Sequence, residues 1–185
     1  MTLFRSLIRA AANLDYFEHT GQESAPHSAA ERLQRAMSLT NNYIAETHGE
    51  SGMFATLFFG ILNPRDGKLA YINGGHEPPL IVQAGVVRET LRKTGPAVGA
   101  ITNCRFEILE TQIQPGDTFF AFTDGVPDCC NPHGEFFGRE RLLEFLQRRD
   151  GSAPALIAAI ESELRQYIAS ANQFDDITLL AVRRV

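Results

Sequence analysis

The stretch "TFFAFTDGVPDCC", residues 118–130, decides the fold. Phe119, Phe120, Ala121 and Phe122 form a short continuous apolar run, the pattern of a strand buried on both faces. The run stops at Thr123-Asp124-Gly125. A carboxylate is thereby set at the mouth of a buried strand, followed by a residue with no side chain. The pattern returns in reverse in "FDDITLLAVRRV", residues 174–185, where Asp175 and Asp176 precede an apolar strand of the same kind. If the two strands are neighbours, these acids converge at one edge of a sheet. Carboxylates with no basic residue nearby in sequence repel one another, and a hard divalent cation relieves that repulsion. Oxygen-only ligation selects magnesium, manganese or calcium over zinc. Gly125 leaves room for a backbone or a hydrated ion to approach. The same residues also read as a plain turn at Asp124-Gly125 and a strand cap at Asp175, and spacing alone leaves both readings open.

Working outward, "MFATLFFGIL" (53–62) reads as an aromatic, β-branched strand. Asn63-Pro64-Arg65-Asp66-Gly67 is a turn, and "KLAYIN" (68–73) returns beside it. Further strands read as "PLIVQ" (79–83), "VVRETL" (86–91), "RFEILET" (105–111) and "TFFAFT" (118–123). Helical spacing covers residues 2–17, through Leu3, Phe4, Leu7, Ile8 and Ala11. A second helix opens at Ser28-Ala29-Ala30-Glu31, a capping box, with Leu33, Ala36, Met37 and Ile44 as its inner face. Two more helices read as "GRERLLEFLQRR" and "APALIAAIESELRQYIA" ahead of the last strand. Helices and strands are segregated and do not alternate, so the fold class is α+β: an antiparallel β-sandwich flanked by helices.

At 185 residues the chain suits one domain with a real core. Its net charge of −5 argues against nucleic acid as partner. No apolar run reaches the ~18 residues of a membrane span, and Arg5 and Arg9 interrupt any signal-peptide core. Three cysteines, two adjacent at Cys129-Cys130, make no disulfide framework and fit a reducing cytoplasm. With no CxxC spacing, that pair reads as small core residues before it reads as a redox or metal pair. In "INGGHEPPLIV", Gly74-Gly75 and Pro78-Pro79 enclose His76 and Glu77 in a stiff bent loop. His76 there is either an active-site group or a hydrogen-bonded corner. No Walker loop, dinucleotide fingerprint or nucleophile elbow is present.

Four blocks, "FATLFFGILNPRDGKLAYINGGHEPPLIV", "GPAVG", "PGDTFFAFTDGVPDCCNPHGEFFGRERLLEFL" and "FDDITLLAVRR", stand in the order of a known family. Together they resemble the SpoIIE/RsbU-type serine/threonine phosphatases, the bacterial branch of the metal-dependent type-2C protein phosphatases. The most specific pieces are Thr123-Asp124-Gly125 with Phe137-Gly138 and Arg141-Leu142, and Asp175-Asp176-Ile177-Thr178. The resemblance implies two stacked antiparallel sheets flanked by helices, with two manganese or magnesium ions at one end. It implies Asp124 and Asp175 as metal ligands, and Asp176 sits where relatives carry Asp or Asn. It places Gly125 and His76 in active-site loops and assigns His76 no catalytic role. The implied reaction is in-line attack of a metal-held water on phosphoserine or phosphothreonine. The implied substrate is a phosphorylated protein, commonly an anti-sigma-factor antagonist, and an upstream sensor or receiver domain usually accompanies the phosphatase.

The chain also departs from that pattern. The family's Gly-Gly-Asp and Gly-Asp-Val-Ser-Gly segments, the second carrying the metal-bridging Asp, are not among these residues. The expectation is a single phosphatase domain over 1–185 that is truncated at its N-terminus, with the first strands absent and one sheet left with an unpaired apolar edge. Such an edge invites pairing with a second copy of the chain. The alternative to an enzyme is a catalytically inactive module that keeps the fold to bind a partner protein. Aspartate-nucleophile phosphotransfer at "TDGVPD" fits poorly, because it wants a DxD arrangement on an alternating α/β fold.

Overall fold

The computed structural model describes residues 28–147, 151–173 and 175–185. The helix expected over 2–17 lies outside them. The described elements are α1 (Ala29–His48), a 3-10 turn (Gly49–Ser51), β1 (Leu57–Leu62), β2 (Lys68–Gly74), β3 (Leu80–Gln83), β4 (Val86–Thr90), β5 (Leu109–Gln112), β6 (Thr118–Phe122), α2 (Gly138–Gln147), α3 (Ala153–Ile168) and β7 (Leu179–Arg183). Every pairing between these strands is antiparallel. The α+β class read from the sequence is the one observed, with two antiparallel sheets and three helices among the described residues.

The chain divides into two compact units. The first holds 28–76 and Lys93–Gln112, with strand order β1-β2-β5. Its helix α1 starts where the capping box predicts. Ser28 Oγ accepts from the Glu31 amide at 3.2 Å, and the Glu31 carboxylate accepts from the Ser28 amide at 2.7 Å. A cap of this kind is worth about 1 kcal/mol. Leu33, Met37 and Ile44 of α1 pack on Ala70 and Ile72 of β2, and on Val98 and Phe106.

Two strands of this unit are shorter than their apolar runs. β1 begins at Leu57 and not at Met53, because Ala55 exchanges both backbone hydrogen bonds with Val98, at 3.0 and 2.8 Å. β5 begins at Leu109 and not at Arg105. Its ladder with β2 ends at Tyr71↔Leu109. Beyond it, the Asn73 amide donates to Thr94 Oγ1 and the Asn73 carbonyl accepts from the Thr94 amide, so that edge of β2 is already taken.

The second unit holds Glu77–Arg92 and Ile113–Val185, with strand order β4-β3-β6-β7. Its register puts Leu80, Phe120, Phe122, Leu179 and Ala181 on one face. That face packs against Leu142 and Leu146 of α2 and Ile160 and Leu164 of α3. Each large side chain so buried contributes about 1.5–3 kcal/mol. Asp117, fully buried at the start of β6, accepts from the Gln114 amide at 2.7 Å and from Arg88 Nη2 at 2.6 Å, which fixes the turn that launches the strand. β7 departs from the expectation of a strand buried on both faces. Leu180 is 53% and Val182 39% exposed, because among the described residues β7 is bonded to β6 alone and forms the sheet's edge.

Candidate metal centre

β6 and β7 lie side by side and antiparallel, with Phe122↔Leu179 as their last ladder pair. The C-terminal end of β6 and the N-terminal end of β7 therefore share one end of the sheet. The two acidic corners meet there through backbone and hydroxyl contacts. The Thr123 amide donates to the Thr178 carbonyl at 3.1 Å. The return bond does not go to the Thr123 carbonyl, because that group accepts from the Val126 amide at 3.0 Å as the chain turns. The Thr123 hydroxyl takes its place: it accepts from the Thr178 amide at 2.9 Å and donates to the Asp176 carbonyl at 2.9 Å.

Gly125 completes the junction. A Cβ there would stand 2.6 Å from the Asp176 carbonyl oxygen and 3.4 Å from that of Asp175. Only a residue without a side chain lets the two corners close to this distance. Asp124, Asp175 and Asp176 are all exposed beside this buried glycine. Two of the carboxylates are held locally: Asp124 Oδ1 accepts from the Gly125 amide at 3.1 Å, and Asp175 Oδ1 from the Asp176 amide at 2.7 Å. The remaining lone pairs of these carboxylates are oxygen donors, the chemistry that suits a hard divalent cation. Among the described residues no group of three or more His, Cys, Asp or Glu side chains is gathered to hold a metal. By themselves the acidic corners fall short of the about six oxygen ligands such an ion takes.

His76 belongs to the first unit, half-buried just past β2, whereas the acidic corners belong to the second. Cys129 and Cys130 are buried behind the Asp124 turn, and Cys129 packs in the core beneath α2 and α3. Burial, then the neighbouring Cys130 and Asp128, pushes the Cys129 thiol up to about 11. That is core behaviour and not that of a reactive pair. The Phe137-Gly138 and Arg141-Leu142 pieces of the motif are also structural. Phe137 and Leu142 are buried, and the Arg141 guanidinium lies over the rings of Phe137 and Tyr167, 5.8 and 4.5 Å from their centroids.

Sequence reading named the acids and Gly125 but gave Thr123 no role. The available signal was a threonine beside each acidic corner, Thr123 and Thr178. It also missed Arg139, which bonds Glu77 and the Pro78 carbonyl.

With this geometry in place, the comparisons with known proteins are specific. The family model described as Stage II sporulation protein E (SpoIIE) matches residues 1–185. The chain belongs to the SpoIIE family. It is 39% identical over 195 residues to Protein IcfG of Synechocystis sp. (strain ATCC 27184 / PCC 6803 / Kazusa), covering 100% of this chain and 31% of that one. It is 26% identical over 145 residues to Phosphoserine phosphatase RsbU of Bacillus subtilis (strain 168), covering 77% of this chain and 43% of the relative. The chain therefore spans less than half the length of either curated relative. Among solved structures, the SiaA-PP2C domain of Pseudomonas aeruginosa superposes with a TM-score of 0.73 at 22% identity, over 98% of this chain and 69% of that one. The catalytic domain of the serine threonine protein phosphatase PstP, in complex with two manganese ions, superposes with a TM-score of 0.62 at 16% identity, over 97% and 80%. The fold is that of type-2C phosphatase domains.

Gly125→Ala should lower stability by about 1–3 kcal/mol, because the added methyl meets backbone and not a flexible side chain; a urea midpoint equal to that of the wild type would contradict the close approach. For Cys129, a thiol raised in the folded state stabilises fully below about pH 9, and that contribution is lost as pH rises toward about 11. Cys129→Ala should therefore flatten the loss of stability across that window. An identical slope in both proteins, measured by urea unfolding at successive pH values, would contradict it.

Proposed function

We propose that this chain is the phosphatase part of a protein that hydrolyses phosphoserine or phosphothreonine on a regulatory protein. The observation that carries the reading is the convergence of the Asp124 and Asp175-Asp176 corners, locked by Thr123 and Gly125. Asp124 and Asp175 would hold a manganese or magnesium ion, with Asp176 beside them. When bound, a pair of such ions lowers the pKa of a water and neutralises charge on the phosphoryl oxygens. The chain's own part is placement. The Thr123 hydroxyl keeps the corners in register, Gly125 keeps them close, and the local amides orient the Asp124 and Asp175 carboxylates. His76 is proposed as a residue of an active-site loop with no proton-transfer role assigned.

Membership of the SpoIIE family and likeness to a relative named as a phosphoserine phosphatase support this reading. The substrate we favour is a phosphorylated anti-sigma-factor antagonist in a bacterial signalling pathway, acted on in the cytoplasm under an upstream sensor or receiver domain. The exposed edge of β7 is a candidate surface for pairing with a second copy of the chain. Among the described residues, no helix is long and apolar enough to cross a membrane. A second reading, an inactive module that binds a phosphorylated partner, is favoured by one observation: the described acidic corners fall short of a full ligand set.

The test is manganese-dependent hydrolysis of a phosphoserine peptide by the full-length protein. Asp124→Asn and Asp175→Asn should each lower the rate by about three powers of ten with the thermal transition unchanged. Unchanged turnover in both variants would sink the ligand assignment. Tight partner binding with no turnover in the wild type would support the inactive module.

A further inference from the structure

β6 is fastened to its two neighbours in different ways as it nears Asp124. On the β7 side, pairing continues without a break through Phe122↔Leu179 to the Thr123–Thr178 contacts. On the β3 side the register stops at Leu80↔Phe120. The next two residues of the β3 segment are Pro79, whose carbonyl accepts from the Leu91 amide on the β4 side, and Pro78, whose backbone faces β6 but has no amide hydrogen to donate. The ladder therefore cannot follow β6 to its end on that side. Continued by the same register, Pro78 falls opposite Phe122, the residue two positions before Asp124.

Arg139, in the first turn of α2, occupies that gap. Its Nη1 donates to Glu77 Oε2 at 3.2 Å and its Nη2 to the Pro78 carbonyl at 3.4 Å. Its guanidinium carbon lies 5.7 Å from the centroid of the Phe122 ring, in the range of a cation–π contact. One side chain thus grips the start of the β3 segment with its donors and the end of β6 with its face. The guanidinium is about one-third exposed, so its charge alone stabilises little, and what it contributes is geometry. The start of α2 is itself fixed: the Gly138 amide donates to the Pro127 carbonyl at 2.9 Å and the Phe137 amide to the Cys129 carbonyl at 2.8 Å. Both acceptors lie on the turn that carries Asp124.

We propose that Arg139 is a positioning residue of the metal centre: it ties the β3 segment to β6 where Pro78, lacking an amide hydrogen, ends the ladder, and so holds the end of β6 that presents Asp124. The proposal rests on the phosphatase reading of that centre. It requires that loss of Arg139 weaken metal binding while leaving catalysis at saturating metal largely intact, because Arg139 touches neither the ion's ligands nor the reacting atoms. An arginine serving stability alone would lower the thermal transition without moving the metal constant.

The experiment uses the full-length wild type and its Arg139→Ala, Arg139→Lys and Asp124→Asn variants. Manganese binding is read from the electron paramagnetic resonance signal of the free ion. In parallel, hydrolysis of a phosphoserine peptide is followed against manganese concentration. Arg139→Ala should raise the manganese concentration for half-binding and for half-activation alike by about tenfold, the usual effect of losing a residue that supports a ligand. Its kcat at saturating manganese should stay within about twofold of the wild type. Arg139→Lys should fall between the two, since an ammonium reaches one acceptor and offers no planar face to Phe122. Should Arg139→Ala fail to fold, Arg139→Lys alone carries the test. A manganese constant equal to that of the wild type in the folded Arg139 variants, with binding lost in Asp124→Asn, overturns the role of Arg139 and leaves the phosphatase reading standing. A wild type that neither binds manganese nor turns over overturns both.

Discussion

The candidate site depends on one substitution of a side chain for a backbone group. At the end of β6 the chain must turn away to present Asp124, and the turn consumes the Thr123 carbonyl. A strand that loses its acceptor there would part from its neighbour just where the two acids need to meet. The Thr123 hydroxyl prevents this by accepting from Thr178 and donating to Asp176. Two hydrogen bonds of this kind are worth about 1 kcal/mol each in net stability. Their larger consequence is geometric, since they fix the register in which one acidic corner faces the other.

Other features of the second unit follow from that constraint. The corners approach until a Cβ at Gly125 would strike the Asp176 carbonyl, so position 125 is closed to side chains. On the opposite flank, Pro78 ends the β3 ladder early, and the guanidinium of Arg139 links the β3 segment to β6 there. At the far end of β6, the bond from Arg88 to buried Asp117 secures the entry turn. The strand is thus held at both ends by polar contacts and along its length by Phe120 and Phe122 against the α2 and α3 helices. The cluster of apolar side chains supplies the stability, and the polar contacts set where the carboxylates stand.

Much of this is legible in the sequence. A buried strand broken by Thr-Asp-Gly, and a second acidic pair ahead of another apolar strand, mark the two corners by residue order alone. The capping box at Ser28 and the inner face of α1 through Leu33, Ala36, Met37 and Ile44 are legible because helical periodicity and cap chemistry are local. What sequence misses is non-local. The stretch 105–108 has the composition of a strand, but its neighbour's backbone is already bonded to Thr94, 21 positions from Asn73. The role of Thr123 depends on which strand lies beside it. The clamp made by Arg139 joins residues 62 positions apart in the chain. Leu180 and Val182 read as core by composition, and their exposure follows from the place of β7 at a sheet edge, which composition does not encode.

The central claim is that Asp124 and Asp175 belong to one metal site. It is tested most directly by a crystal structure of the full-length protein grown with manganese and phased at the manganese absorption edge. An anomalous peak within about 2.0–2.3 Å of carboxylate oxygens from both Asp124 and Asp175 is the expected result. A manganese peak bound by other residues, with these two carboxylates turned to solvent, would contradict it.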